Sequence, residues 1–349
     1  MEEYQLKDRE KAILRFVIHQ FILTANPVGS RNISKRYDIG LSPASIRNIM
    51  SDLEDFGYID HPHTSAGRVP TDKGYRLYVD SLMSRQEIKS SDKGMINKGF
   101  ELNIPETEEL LNLTSSLLSR ITKQLACVTY PKIDSGTLEK IQIVSLTSTR
   151  ILVVVSITSG FAKTITLEFS SNIKDSQIIS IQQLLNERLS GLPLSEIRTT
   201  FGERFKDVED DDNHIIRLFI DSADKIFSDV RQTEKLVISG AKNILKQPEF
   251  DDPQKFQSMI ELIEDKDIII HILDKSSEVP ADQVYIAIGK ENQHREMTEY
   301  SFISKEYTIG DISGKLGIIG PKRMEYSKVI AIVDYMAKML SEVLKNNSK

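Results

Sequence analysis

The sequence predicts an α+β multidomain protein, and three observations carry this prediction. Apolar residues recur at helical spacing in the first 84 residues, which also contain a short strand pattern and a loop rich in glycine and proline. Alternating strand patterns follow at residues 138–169 and return at residues 284–319. Between them, residues 191–275 change to amphipathic helix patterns with an acidic run. One mixed domain is therefore predicted to contain a second, inserted domain.

The composition is typical of a soluble globular protein and bears on where in the cell the protein is expected. Hydrophobic residues make up 40% and charged residues 28% of the 349 residues. The single cysteine, Cys127, excludes a disulfide framework and a multi-cysteine metal site. No run of about 18 apolar residues is present, and the N-terminus is acidic where a signal peptide would be basic. We therefore expect a cytoplasmic protein with no membrane partner.

The charge distribution limits how this chain could bind nucleic acid. The net charge of −6 argues against a general nucleic-acid coat protein. Residues 1–85 hold 12 lysines and arginines against 11 acidic residues, which leaves this segment at +1. Any DNA binding must therefore depend on a few well-placed cations, and a dimer would double their number.

The first two predicted helices follow from local patterns. Residues 8–24 have apolar side chains at the i, i+3, i+4 spacing of an amphipathic helix. The residues from Asn26 to Gly29 predict a turn, after which Ser30 is expected to cap a short helix through Tyr37. This pair precedes the segment with the clearest helix signals in the chain.

The segment from Ser42 to Phe56 has distinct start and stop signals of a helix. Ser42 is a favourable N-cap, Pro43 occupies the first helical position, and Gly57 follows where a C-terminal glycine belongs. At about 100° per residue, one face is apolar and contains Ile46, Ile49, Met50 and Leu53, with Phe56 at its edge. The opposite face contains Ala44, Asn48 and Ser51, flanked by Ser45, Arg47 and Asp52. Together with the hairpin-like segment that follows, the three helices predict a winged helix-turn-helix.

The outward face of this third helix has the side chains that major-groove reading requires. Small residues let its N-terminal half approach base edges, where Asn48 could pair with adenine and Arg47 with guanine or phosphate. The residues predicted to read bases are Ser45, Arg47, Asn48 and Ser51. The residues predicted to contact phosphate or to serve the wing are Ser30, Arg31, Lys35, Ser42 and Arg68, with Arg68 expected at the wing tip. The alternative is an ordinary polar surface of a small helical domain.

The remainder of the chain is predicted to contain a linker followed by strands and helices. Residues 85–103 are polar and contain glycine, which is typical of a linker. Helices are predicted at residues 73–83, 106–125, 176–189, 215–226, 253–263 and 326–344. Strands are predicted at residues 138–146, 150–158, 161–169, 284–288, 301–307 and 315–319.

Several longer motifs resemble those of a known family of regulators. Residues 41–59, LSPASIRNIMSDLEDFGYI, and residues 62–80, PHTSAGRVPTDKGYRLYVD, are similar to the N-terminal region of the HrcA heat-inducible transcription repressor family. Further similar segments are residues 27–31, 248–250 and 316–330, so the resemblance spans nearly the whole chain. One departure is Ile49, which stands where the family usually has an acidic residue.

The resemblance implies a domain organisation and a mode of action. It implies a winged helix at residues 1–84, a linker at 85–103, a GAF-like domain in two parts at 104–192 and 279–349, and a dimerising domain inserted at 193–278. Family members are homodimers that bind an inverted-repeat operator, called CIRCE, in double-stranded DNA upstream of chaperone genes. They thereby prevent heat-shock induction. The GroE chaperonin is thought to keep them active until unfolded proteins compete for it.

Other functions are weighed against this one. A metabolite-sensing winged-helix regulator that uses the GAF-like domain is the main alternative. An enzyme is not expected, because no nucleophile and base, metal-ligand set or phosphate loop has the required spacing. His61-Pro62-His63 is interpreted as a surface loop, so neither a metal nor a cofactor is expected. The apolar residues predicted to form the dimer contact of the insert are Ile215, Ile216, Leu218, Phe219 and Ile226.

Overall fold

The computed structural model begins with the predicted winged helix-turn-helix, which we call the head (residues 5–84). The structure describes residues 5–62, 67–84, 86–101, 106–169, 174–207, 210–228, 236–276 and 279–347. In the head the elements are α1 (Asp8–Thr24), α2 (Ser30–Arg36), α3 (Pro43–Asp55), β1 (Ile59–Asp60), β2 (Val69–Pro70) and α4 (Asp72–Leu77). A π-helical turn, Tyr78–Leu82, extends α4. Gly29, rather than Ser30, is the N-cap of α2.

A five-stranded antiparallel sheet forms the second unit, which we call the body. Its strands are β3 (Leu125–Thr129), β7 (Leu236–Ser239), β8 (Tyr285–Ile288), β9 (Tyr300–Ile309) and β10 (Ile312–Pro321), in the order β7-β3-β10-β9-β8. Side chains alternate along β3: Ala126 and Val128 enter one apolar core, whereas Leu125 and Cys127 enter another. Burial raises the pKa of Cys127 to about 12, so its thiol stays protonated and unreactive at neutral pH.

Helices cover both faces of this sheet. The helices α6 (Thr107–Thr122) and α14 (Tyr326–Asn347) pack on one face, and α12 (Pro253–Glu264) and α13 (Lys266–Lys275) contribute to the core of the other. The predicted linker is wrong over most of its length, because residues Ser90–Phe100 form a helix, α5. Ile96 and Phe100 of α5 are buried, so two apolar side chains are enough to dock an otherwise polar segment.

A second, three-stranded sheet lies between β3 and β7 in the sequence, within the segment that we call the insert (residues 130–235). Its strands are β4 (Leu138–Thr147), β5 (Arg150–Ile157) and β6 (Ala162–Glu168), in that order. Four helices accompany it: α7 (Asp175–Leu189), α8 (Leu194–Arg204), α9 (Asp210–Asp221) and α10 (Ala223–Phe227). The short helix α11 (Ala241–Ile244) follows β7 and belongs to the body.

Strand pairing does not follow the domain boundaries that the sequence suggested. Residues 138–168 were expected in the GAF-like sheet, but they pair only among themselves. Residues 236–239 were expected in the insert, but they pair with β3 of the body. The physical reason is that strand alternation identifies a strand without specifying its partner, which may be more than 100 residues away.

The apolar residues expected to form the dimer contact are packed inside the chain. Ile215, Ile216, Phe219 and Ile226 are buried, and Leu218 packs against the same core. Their helical spacing correctly predicted an amphipathic element, but its apolar face contacts the insert's own core. Among the described residues, no helix is both long and apolar enough to cross a membrane.

Arginine side chains fasten the head to the body at both ends of the contact. Arg76 of α4 donates to both carboxylate oxygens of Glu291, with Nε at 2.9 Å from Oε1. Arg323, between β10 and α14, donates from Nη1 to the carbonyl oxygen of Ile22 in α1 at 2.7 Å. The head is therefore held on the body by charge-assisted hydrogen bonds.

Candidate nucleic-acid interface

The first turn of α3 is built as the sequence predicts. Ser42 is the N-cap: its Oγ accepts the backbone N–H of Ser45 at 3.1 Å and lies 3.0 Å from Ser45 Oγ. Pro43 occupies the first helical position. At the other end, Gly57 adopts a φ of +76°, a conformation that favours glycine. These local features fix the length and the direction of the helix.

The two faces of α3 are also as predicted. Ile46, Met50 and Leu53 are buried, and Ile49 and Phe56 are partly buried against the same core. The residues on the outward face are all exposed: Ala44, Ser45, Arg47, Asn48, Ser51 and Asp52. The departure at Ile49 is thus accommodated at the edge of the core. The outward face presents small and hydrogen-bonding side chains to solvent.

Three cations near this face have no ionic partner. Arg31 and Lys35 lie one turn apart on α2, Arg47 lies on α3, and all three are exposed. Within the part of the chain that the structure describes, none of them forms a hydrogen bond or ion pair. Ser30, the first residue of α2, is partly exposed. An anion that approached the N-terminal half of α3 would meet cations that are not already neutralised.

Arg68 is placed differently from the prediction. It lies at the base of the wing, immediately before β2, and the residues of the expected tip (63–66) are outside the described residues. Its backbone pairs with Val28 through two hydrogen bonds of 2.8 and 2.9 Å. Its Nη2 lies 2.6 Å from Oε2 of Glu54 on α3. Arg68 therefore ties the wing to α3, and its charge is already neutralised.

Glu54 has a structural role beside the candidate site that the sequence does not predict. Its carboxylate receives Arg68 on one oxygen and His61 on the other. Glu54, Asp60 and His61 also bring three potential metal-ligand atoms within 4.8 Å of one another. Because Arg68 already pairs with Glu54, a metal ion would have to compete with that arginine for the carboxylate. No periodic pattern could have identified the contact, since Glu54 and Arg68 come from different elements.

The acidic side chains of α3 indicate which half of the helix could approach DNA. Asp52 and Asp55 are exposed in its C-terminal half, whereas Arg47 and Asn48 lie in its N-terminal half. Phosphate would be repelled from the C-terminal half and attracted to the N-terminal half, where the helix dipole is also positive. The geometry thus favours an approach by the first two turns of the helix.

Comparison with known proteins places this arrangement in a family. Residues 108–330 match the family model described as the HrcA protein C terminal domain. A protein of Chlorobium phaeobacteroides (strain BS1), named heat-inducible transcription repressor HrcA, is 41% identical over 98% of this chain and 99% of its own length. Its namesake from Prosthecochloris aestuarii is 42% identical over 98% of each chain.

One solved structure supports the fold across the whole chain. It is described as a hypothetical protein at 2.2 Å resolution, and it superposes with a TM-score of 0.59 at 21% identity. The match covers 98% of this chain and 100% of the other. The family model covers residues 108–330, and the relatives, which match 98% of the chain, also span the motifs at residues 41–80. The chain belongs to the HrcA family of heat-inducible transcription repressors.

Proposed function

We propose that this chain represses heat-shock genes by binding an inverted-repeat operator of the CIRCE type as a homodimer. The observation that carries the proposal is the exposed face of α3, where hydrogen-bonding side chains stand beside cations that have no partner within the described residues. In this proposal Ser45, Arg47, Asn48 and Ser51 contact base edges in the major groove. Ser30, Arg31, Lys35 and Ser42 contact phosphate.

Arg68 has a positioning role in this proposal. The 2.6 Å contact between Arg68 Nη2 and Glu54 Oε2 supports this role, because the contact holds the wing against α3. A guanidinium that is already paired gains little from a phosphate, since the existing pair must first be broken. The wing would therefore be oriented by Arg68, and its contact with DNA would be made by other residues.

The dimer contact is proposed to lie on the insert. Four of the seven large apolar side chains that are exposed in the described part of the chain belong to it: Val144, Leu146, Ile179 and Ile220. Gln182 and Asn186 of α7 bond to the backbone of β4 at residues 143 and 141. One further helical turn places Ile179 beside residues 144–146, because four helical residues match two strand residues in length. We infer that Val144, Leu146 and Ile179 form an apolar patch of the kind that mediates association.

Modulation by the GroE chaperonin is proposed on the family resemblance. The test is a gel shift on an inverted-repeat operator, with and without GroE. Tighter operator binding in the presence of GroE supports the proposal. Operator affinity that GroE leaves unchanged, in a preparation that binds DNA, would remove this part of it.

Asn48→Ala is expected to relax sequence preference. Loss of a bidentate base contact should weaken operator binding by about 1–3 kcal/mol while leaving the affinity for random DNA nearly unchanged. The measurement is a titration of both DNAs by fluorescence anisotropy. Lys35→Ala is the matched control, because loss of a phosphate contact should weaken both complexes equally. Equal losses on both DNAs for Asn48→Ala would contradict base reading.

The salt dependence of binding should separate Arg68 from the unpaired cations. Each lost phosphate contact lowers the slope of log K against log salt by about 0.9, or about 1.8 in a dimer. We expect this change for Arg31→Ala and Lys35→Ala, and a much smaller change for Arg68→Ala because Glu54 already neutralises that side chain. If Arg68→Ala flattened the slope as much as Lys35→Ala, the positioning role would be wrong.

A further inference from the structure

A cavity of about 240 Å³ lies where the head meets the body. Its head side comes from α1, from Tyr37 at the end of α2, and from the π-helical turn. Its body side includes Ser327 at the start of α14. The cavity therefore lies away from the outward face of α3 and outside the sheet of the predicted GAF-like domain. Its volume is below the roughly 300–1,000 Å³ of drug-sized ligand sites, but a cavity of roughly 150 Å³ is enough to hold a single benzene ring.

Two stacked aromatic rings of the head line the cavity. Phe16 of α1 stacks on Tyr37 with ring centroids 3.9 Å apart and an angle of 24° between the ring planes. Tyr78 and Leu82 of the π-helical turn add apolar surface beside them. Such turns within helices are frequent at functional sites. A planar ring would find both a stacking surface and apolar walls here.

Arg15 is a basic side chain among the described residues that line the cavity. The guanidinium of Arg15 lies 5.1 Å from the centroid of the Phe16 ring, and it forms no ion pair within the described residues. His19 shares a hydrogen bond of 2.9 Å between its Nδ1 and the Tyr37 hydroxyl. No aspartate or glutamate is among the described residues that line the cavity. Burial raises the pKa of Tyr37, so its hydroxyl stays protonated at neutral pH.

The rim is formed by hydrogen bonds that cross from head to body. Ser327 Oγ donates to the carbonyl oxygen of Ser84 at 2.7 Å and accepts the backbone N–H of Gln86 at 2.8 Å. A molecule in the cavity would therefore touch both units at once. Binding of such a molecule should restrain the segment that connects the head to the body.

We propose that this cavity binds a small planar organic anion of the aromatic carboxylate type. The ring would stack on the Phe16 and Tyr37 pair, and the carboxylate would meet Arg15. The stacked pair selects a planar ring, and the uncompensated guanidinium selects a negative charge. The proposal does not rest on operator binding, because neither the stacked pair nor Arg15 belongs to the exposed face of α3.

The test is calorimetric titration of the full chain with three probes of matched size or charge. Sodium benzoate has both ring and charge, benzyl alcohol has the ring alone, and sodium acetate has the charge alone. We expect saturable binding of benzoate, about tenfold or more tighter than that of either other probe, because the ring and the charge are recognised together. Benzoate that does not saturate, or that binds no more tightly than benzyl alcohol, would overturn the proposal.

Two further measurements locate the site. Arg15→Gln should weaken benzoate binding about tenfold, whereas Arg9→Gln, on the same helix and equally exposed, should leave it unchanged. Bound benzoate should also slow hydrogen exchange at the Gln86 amide, which crosses to Ser327. If Arg15→Gln bound benzoate like the wild type, or if Gln86 exchanged at the same rate with saturating benzoate, the cavity would not be the site.

Discussion

A chain in which an Asn-Gly turn replaces residues 130–235 is expected to be monomeric and to bind the inverted-repeat operator about 10²–10⁴-fold more weakly, because it loses bivalent attachment. The excision is feasible because its two ends are neighbours. Thr129 of β3 and Leu236 of β7 are direct partners in the antiparallel ladder, so a two-residue hairpin turn can join them. The five-stranded sheet then keeps all of its strands.

The measurement is the molar mass by light scattering, followed by a gel shift on full operator and on a half-site. The shortened chain should bind the full operator and the half-site with similar affinity, because the single head of a monomer occupies one half-site at a time. A dimer that survived the excision with full operator affinity would contradict the assignment of the contact to the insert.

A point substitution gives the same test without a deletion. Ile179→Asp places a charge on the proposed apolar patch, where 58% of the side chain is exposed, and should shift the chain toward monomer. Phe256→Asp is the matched control, because Phe256 is also exposed (43%) but lies on α12 of the body. Equal effects of the two substitutions would indicate a general change in solubility instead of a specific contact.

Gly74→Ala is expected to destabilise the head by about 3 kcal/mol or more, because it overpacks a rigid site. A Cβ at position 74 would stand 2.1 Å from the carbonyl oxygen of Tyr58 and 3.2 Å from its carbonyl carbon. That carbonyl cannot move freely, since it accepts the backbone N–H of Thr71 at 3.2 Å. Glycine is therefore required where α4 crosses the start of the wing.

Chemical denaturation monitored by circular dichroism measures this effect. Gly94→Ala is the control: it lies inside α5, and nothing stands within 4 Å of the added Cβ. Alanine should there stabilise the helix by up to about 1 kcal/mol. A Gly74→Ala chain as stable as the wild type would show that α4 does not pack closely on the backbone of the wing.

The head could be predicted almost completely, because its signals are local. The serine, proline and glycine around α3 act within a few residues of the helix ends, and the apolar spacing defines the buried face. The body was less predictable for two reasons. The sequence predicts a helix at residues 106–125, and it does not predict β3, which begins at the last of these residues. The partners of each strand depend on contacts that are distant in sequence.

In the candidate site, too, the sequence predicts the local features but not the contacts between distant segments. The exposure of Arg47 and Asn48 follows from helical periodicity, and the sequence predicts it. The proposed role of Arg68 does not follow from helical periodicity. It depends on Glu54, which reaches the base of the wing only in the folded chain. Side chains that neutralise one another across elements leave no pattern that a single sequence can reveal.

The arginine bonds that fasten the head have a consequence for operator architecture. The bonds of Arg76 to Glu291 and of Arg323 to Ile22 restrain rotation of the head on the body. In the proposed homodimer, two heads held in this way would lie at one fixed separation. Because DNA turns as it extends, a spacer of the wrong length would present the second half-site on the wrong side of the duplex. In the proposed complex, the distance between half-sites would therefore contribute to recognition together with the bases within them.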